Sequence, residues 1–93
     1  MTYESHITYI PKNVQAEDRI AAIAEEKGWK LSRIDGDPVL GGGVKCYLTK
    51  HSEDFELLRI EMRSMSVEVQ FLGHRDVQVL REKIEHVIID RVY

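Results

Sequence analysis

The sequence predicts an α+β domain in which the elements follow the order strand, helix, strand, strand, helix, strand. Three observations lead to this fold class. Late in the chain, apolar residues recur at alternating steps of three and four, which is the spacing of one helix face. A shorter segment with a helical pattern lies nearer the N-terminus. The segments around both patterns are rich in β-branched and aromatic residues, which are typical of strands.

The first strand and the first helix are predicted from the residues that begin and end them. The strand is expected over His6–Ile10. Pro11 follows it and should end it, because proline has no N–H group to donate to a sheet ladder. Asn13 is a typical helix-capping residue, and the helix body is expected over Gln15–Lys27. Gly28 would end this helix, since glycine readily adopts the left-handed conformation found there.

A hairpin is predicted in the middle of the chain. Residues Trp29–Asp35 and Val44–His51 have strand character, and the segment between them, 36–43, is rich in glycine with one proline. Such residues favour turns, so we expect the two strands to pair with each other.

The second helix is predicted between Ser52, as its cap, and Gly73, as its end. Its apolar face comprises Phe55, Leu58, Met62, Met65, Val69 and Leu72. A strand pair is the alternative, because apolar residues also alternate over 58–62 and 67–71. The helix is favoured because its apolar spacing, both its ends and an acidic first turn agree with one another.

The last element is predicted as a strand from Val77 to about Asp90, and an alternative remains open for its second half. Residues Leu80–Ile89 also carry apolar side chains at helical spacing. With the strand interpretation, two interlocking βαβ units give a ferredoxin-like plait, which is a four-stranded antiparallel sheet with two helices on one face. The other face of the sheet would have no helix over it.

This open face carries the candidate binding residues. Side chains alternate between the two faces of a strand. His6 and Thr8 therefore lie on one face of the first strand, and Ile7 and Tyr9, which suit the helix-covered core, lie on the other. In the last strand, basic residues share one face, whereas Leu80 and three following alternate residues share the other. The last strand normally lies beside the first in this fold. The candidate ligand-binding set is His6, Thr8, Thr49, His51, Arg81 and Lys83. Guanidinium, ammonium, imidazole and hydroxyl groups together form a plausible anion or phosphate site.

Composition limits the classes of partner. A chain of 93 residues is near the lower end of the sizes that fold alone, so we expect one domain over 1–93 that gains stability as a homodimer. The net charge of −3 gives no general attraction to nucleic acid or to an anionic membrane. The single cysteine, Cys46, excludes an internal disulfide and fits a reducing compartment, which we take to be the cytoplasm. We expect it to pack as a small apolar side chain, and we expect no metal or cofactor.

Two functions are consistent with these features. The first is an interaction module that uses the open sheet face for self-association or for a protein partner, with Trp29, Tyr47 and Tyr93 as amphipathic contact residues. The alternative is a small enzyme or sensor for a phosphorylated or anionic small molecule, which would use His6, Thr8, Arg81 and Lys83. In that case His6 would act as acid or base, and Arg81 and Lys83 would bind the negative charge.

Overall fold

The computed structural model describes residues 2–37, 43–73 and 77–87. Their elements, in chain order, are β1 (Thr2–Pro11), α1 (Val14–Glu26), β2 (Lys30–Asp37), β3 (Gly43–Ser52), α2 (Phe55–Gly73) and β4 (Val77–Val87). The predicted α+β class and the order of elements are confirmed. The segment 38–42 of the predicted hairpin loop, residues 88–90 of the predicted last strand, and Tyr93 lie outside the described residues.

The four strands form one antiparallel sheet in the order β2-β3-β1-β4. Strand β1 therefore lies in the interior of the sheet, between β3 and β4. It is longer than the sequence predicts, because it begins at Thr2 and pairs with β4 from its first residue. The helical alternative for the last element is wrong over residues 80–87, which continue the β4 strand.

Both helices pack on one face of this sheet. On β1, Ile7 and Tyr9 are fully buried and lie opposite Leu48 and Cys46 of β3, which are also fully buried. The helices add the buried side chains of Ile20, Ala24, Met62, Met65 and Val69 to the same cluster. The predicted apolar packing of Cys46 is confirmed. Residues of even number on β1 face the other side of the sheet, as alternation predicts.

Helix α1 begins and ends as its sequence predicts, to within one residue. The side chain of Asn13 accepts a hydrogen bond of 2.8 Å from the Ala16 N–H. At the other end, Gly28 has a φ of +78°, a conformation that side chains disfavour. The chain then turns sharply enough for the Trp29 N–H to donate to the Ala24 carbonyl at 2.8 Å.

The predicted strand-pair alternative for 58–71 is wrong, since α2 is one continuous helix. Its cap differs from the prediction. The helix begins at Phe55, and the carboxylate of Asp54 accepts the Leu57 N–H at 3.1 Å. Ser52 instead accepts the N–H of Asp54 at 3.0 Å, so it orients the capping residue from outside the helix.

Two ion pairs connect α2 to the rest of the molecule along one flank. Lys27, at the end of α1, lies 2.5 Å from a Glu68 carboxylate oxygen. Lys50 of β3 pairs with Glu61 and also donates to the Lys27 carbonyl at 2.8 Å. Its ammonium lies 5.9 Å from the centre of the Trp29 ring. Trp29 is only 5% exposed, so of the three amphipathic residues that the sequence offered as contacts, this one is buried.

Candidate functional site

The centre of the open sheet face is occupied by two residues of β1. Thr8 lies between Tyr47 of β3 and Arg81 of β4 in the strand register. His6 lies one row away, between Thr49 and Lys83. The topology therefore brings the four predicted residues on β1 and β4 onto adjacent positions.

A β-bulge in β4 makes this arrangement possible. Thr8 pairs with Arg81, whereas the next residue, Tyr9, pairs with Val79. Leu80 is therefore an extra residue without a partner on β1, and the alternation of β4 is reset at this point. As a result, Val79 packs against the helix-covered core while Arg81 lies on the opposite face. Leu80 also contributes to the open face, which corrects its predicted placement on the helix side.

These residues line a shallow basin with a volume of about 480 Å³. Its lining comprises His6, Thr8, Lys45, Tyr47, Leu80, Arg81 and Lys83. We call this feature the open-face basin. The volume lies within the range of pockets that hold small organic ligands, which is about 300–1,000 Å³.

Thr8 forms the floor of the open-face basin. Thr8 is only 7% exposed, although it lies on the face of the sheet opposite α1 and α2. Within the described ranges, its side chain makes no hydrogen bond. Thr8 thus offers an unused hydrogen-bonding group to whatever occupies the basin.

Three cationic side chains surround this floor. Lys83 pairs with the exposed Glu85, and this hydrogen bond, together with the charge of Lys83, lowers the pKa of Glu85. The ammonium of Lys45 lies 5.7 Å from the centre of the Tyr47 ring, in cation–π geometry. Arg81 has no hydrogen bond or ion pair with any residue in the described part of the chain. Its guanidinium group is therefore the cation most readily offered to a ligand.

Behind one wall of the basin, a carboxylate connects two histidines. Glu4 accepts from the Nε2 atoms of His6 and His51, each at 2.9 Å, through its two separate oxygens. The Nδ1 atom of His6 lies 3.2 Å from the Thr49 hydroxyl. Both ring nitrogens of His6 are thus engaged. In the neutral ring, Nε2 carries the proton and Nδ1 accepts the hydroxyl proton of Thr49.

The structure therefore divides the six predicted site residues into two groups. His6, Thr8, Arg81 and Lys83 line the open-face basin. Thr49 and His51 do not line it, and they contact His6 or its partner Glu4 instead. Sequence reasoning missed Lys45 and Tyr47, although they have the same parity on β3 as Thr49 and His51. It also missed Leu80, because no sequence signal indicated the bulge.

The described residues include no cluster of three histidine, cysteine, aspartate or glutamate side chains that could hold a metal ion. Cys46 is buried, and burial followed by the charge of Glu17 raises the pKa of its thiol. A raised pKa reduces the thiolate fraction at neutral pH, and the thiolate is the nucleophilic form. The structure therefore gives Cys46 a packing position without nucleophilic character.

A second surface feature lies on the outer side of α2. Four large apolar side chains are exposed there, and successive members are three, seven and four residues apart. They are Leu57, Ile60, Val67 and Phe71. We call this feature the outer stripe of α2. Phe71 is 83% exposed, the highest value among the large apolar residues described. No helix in the part of the chain described here is long and apolar enough to cross a membrane.

Comparison with known proteins supports the architecture. A solved structure described as "De novo designed protein Foldit4" is similar to this chain, with a TM-score of 0.76 and 10% sequence identity. The similarity covers 95% of this chain and 100% of the designed protein. It shows the fold alone. No family model matches the sequence, and no curated protein matches it.

Proposed function

We propose that the protein binds a small anionic molecule, carrying a phosphate or an equivalent oxyanion, in the open-face basin. The observation that carries this proposal is a hydroxyl group without a hydrogen bond among the described residues, which lies beside adjacent cations in the basin. Thr8 forms the floor of the basin, and Arg81 lies directly opposite it in the register. A guanidinium group can donate two parallel hydrogen bonds to an oxyanion, and a hydroxyl group can donate a third.

The charge of the basin supports the same function. The whole chain has a net charge of −3, yet the basin is lined by three cationic side chains and no carboxylate. Glu85 lies beside the basin and neutralises part of the charge of Lys83. A local positive region in an acidic protein attracts small anions without attracting nucleic acid in general.

The hydrogen bonds of His6 favour binding over catalysis. A general acid or base needs a ring nitrogen directed at the substrate. In this structure Nε2 bonds to Glu4 and Nδ1 to the Thr49 hydroxyl. We therefore assign His6 to the wall of the basin, where Glu4 and Thr49 fix the orientation of its ring.

Titration with inorganic phosphate, followed by two-dimensional amide NMR, tests this proposal. We expect saturable shifts at Thr8, Arg81 and Lys83. Arg81→Gln should weaken binding roughly tenfold or more, since a hydrogen bond to a charged group contributes about 1.5–3 kcal/mol. Arg63→Gln, an exposed arginine of α2, is the matched control and should leave the affinity unchanged. The proposal is wrong if both variants bind phosphate as the parent protein does, or if they weaken it equally.

Self-association is a second candidate function, and the outer stripe of α2 favours it. Ser64 lies between Ile60 and Val67, so the positions 57, 60, 64, 67 and 71 alternate at steps of three and four. This is the spacing of a seam between two packed helices. We propose a second copy of the chain as the occupant, through antiparallel packing of two α2 helices. This location differs from the open sheet face that the sequence suggested for a homodimer or a protein partner.

Sedimentation equilibrium tests the self-association. Val67→Glu places a charge in the middle of the stripe and should shift the protein to monomer, whereas Gln70→Glu adds the same charge beside it. We expect the second variant to associate as the parent does. A parent protein that sediments as a 10.8 kDa monomer at high concentration would rule this candidate out.

We also propose that this fold is a ferredoxin-like plait. The element order β-α-β-β-α-β, read with the strand order β2-β3-β1-β4, supports this assignment. Both helices pack on the same face, as two interlocked βαβ units require. For the compartment, the free and buried Cys46 is compatible with the cytoplasm, which remains our proposal.

A further inference from the structure

The two sides of the open-face basin differ in chemistry. Tyr47 on β3 and Arg81 on β4 both lie opposite Thr8, so they face each other across one row of the sheet. Tyr47 presents a half-buried aromatic ring, and Arg81 presents a guanidinium group that has no hydrogen bond or ion pair among the described residues. A cationic wall and an aromatic wall therefore share one floor.

The separation of these walls indicates the size of the ligand. Their Cα atoms lie two strand spacings apart, which is roughly 9–10 Å in a sheet. A single phosphate ion that contacts Arg81 and Thr8 would leave the ring of Tyr47 without a ligand contact. The volume of about 480 Å³ leaves room for an organic group beside the phosphate.

Leu80 adds a second apolar contact to the basin. It is the extra residue of the bulge, and it remains 42% exposed although its neighbours on this face are mostly polar. Two apolar surfaces in an otherwise cationic basin are not needed to hold an inorganic anion. They suit a ligand with a flat apolar part, because aromatic rings stack and bury area there.

We propose that the ligand is a phosphate monoester of a flat aromatic group, such as an aryl phosphate or a nucleoside monophosphate. This inference rests on the proposed anion-binding function of the same basin. Arg81 and Lys83 bind the phosphate oxygens, and Thr8 donates to one of them. Tyr47 and Leu80 contact the ring.

Four probes separate the contributions of ring and charge. Phenyl phosphate and adenosine monophosphate carry both parts, methyl phosphate carries only the phosphate, and phenol carries only the ring. We expect both ring-bearing phosphates to bind roughly five- to hundredfold more tightly than methyl phosphate, which is the range that stacking on one aromatic side chain gives. Phenol should not bind measurably. A preference for the nucleotide over phenyl phosphate would indicate a nucleoside ligand, and the reverse would indicate a simple aryl ester.

Single-residue variants then identify the side chains that cause the preference for ring-bearing phosphates. Tyr47→Leu should abolish the preference for ring-bearing phosphates and leave the affinity for methyl phosphate unchanged. Leu80→Ala should reduce the preference, and Leu57→Ala, on α2, is its matched control. Arg81→Gln should reduce the affinity for phenyl phosphate and for methyl phosphate by the same factor. Thermal unfolding of each variant establishes that it is folded.

The two proposals fail in different ways. Equal affinity for methyl phosphate and phenyl phosphate, at the basin, would overturn the aromatic ligand and leave anion binding in place. An absence of amide shifts in the basin with all three phosphates would overturn anion binding itself. Binding of phenol as tightly as phenyl phosphate would overturn both, because the charge would then contribute nothing.

Discussion

Arg81 lies directly opposite Thr8 across the β1–β4 pairing, and the register shifts at the next position, where Val79 lies opposite Tyr9. Val79 and Arg81 are two residues apart, so a regular strand would direct both side chains to the same face. The extra residue between them, Leu80, removes this conflict. It allows β4 to place an apolar residue in the core and a cation in the open-face basin.

This relationship predicts opposite results for two single-residue deletions in β4. Deleting Leu80 removes only the bulge, so Arg81 stays opposite Thr8 and phosphate binding should persist. Deleting Glu82 also shortens the strand by one residue. If Lys83 stays opposite His6, a regular ladder then brings Leu80 opposite Thr8 and moves Arg81 to the other face of the sheet. We expect this variant to lose phosphate binding at least tenfold by NMR titration. Equal affinities in the two deletion variants would show that the bulge does not position the guanidinium group.

Adjacent leucines on α2 provide a test of the core. Leu58 is fully buried, whereas Leu57 is 48% exposed on the outer stripe. Leu58→Ala should reduce the free energy of unfolding by about 2–5 kcal/mol, because it removes apolar contacts and leaves a cavity. Leu57→Ala should change it by less than about 1 kcal/mol. Urea unfolding followed by circular dichroism measures both, and similar losses would contradict the assigned helix faces.

Much of the open face could be predicted from alternation alone. Ile7 and Tyr9 are strongly apolar, so the parity of β1 is unambiguous and His6 and Thr8 must lie on the other side. The same reasoning, applied to β3, would have added Lys45 and Tyr47 to the predicted site. The predicted site took only Thr49 and His51 from β3, and not every residue of the same parity.

Other features could not be read from single-residue patterns. The bulge at Leu80 depends on how β4 pairs with β1, which is a long-range property of the sheet. Trp29 is amphipathic, and only the tertiary structure shows that it packs beneath Lys50 at the edge of the core. Ser52 and Asp54 are both good caps, and the prediction chose Ser52, two residues before Asp54, which caps α2 in the structure.

The two candidate caps of α2, Ser52 and Asp54, can be distinguished by mutation. Asp54→Ala removes the acceptor for the Leu57 N–H and should reduce the free energy of unfolding by about 0.5–2 kcal/mol. Ser52→Ala removes only the contact that orients Asp54 and should cost less. Urea unfolding of both variants at neutral pH provides the comparison. A larger loss from Ser52→Ala would show that Ser52 is the effective cap.

Alkaline pH should destabilise the protein through two neighbouring acids in the core. Burial raises the pKa of the Tyr9 hydroxyl far above its usual range, and the charge of Cys46 adds to the shift. Burial likewise raises the pKa of the Cys46 thiol. In the unfolded chain these groups ionise at ordinary pKa values of about 10 and 8.5. Above about pH 8.5 the unfolded chain therefore holds fewer protons than the folded protein, so the free energy of unfolding decreases as the pH rises.

Tyr9→Phe tests this dependence directly. The Tyr9 hydroxyl is buried without a well-formed hydrogen bond among the described residues, so its removal should cost little at neutral pH. Between about pH 9 and pH 11 the variant should lose less stability than the parent, because one of the two buried acids is absent. Tyr47→Phe, on the half-buried open face, is the control and should decline as the parent does. Parallel declines in all three proteins, measured by urea unfolding, would show that ionisation of Tyr9 does not limit alkaline stability.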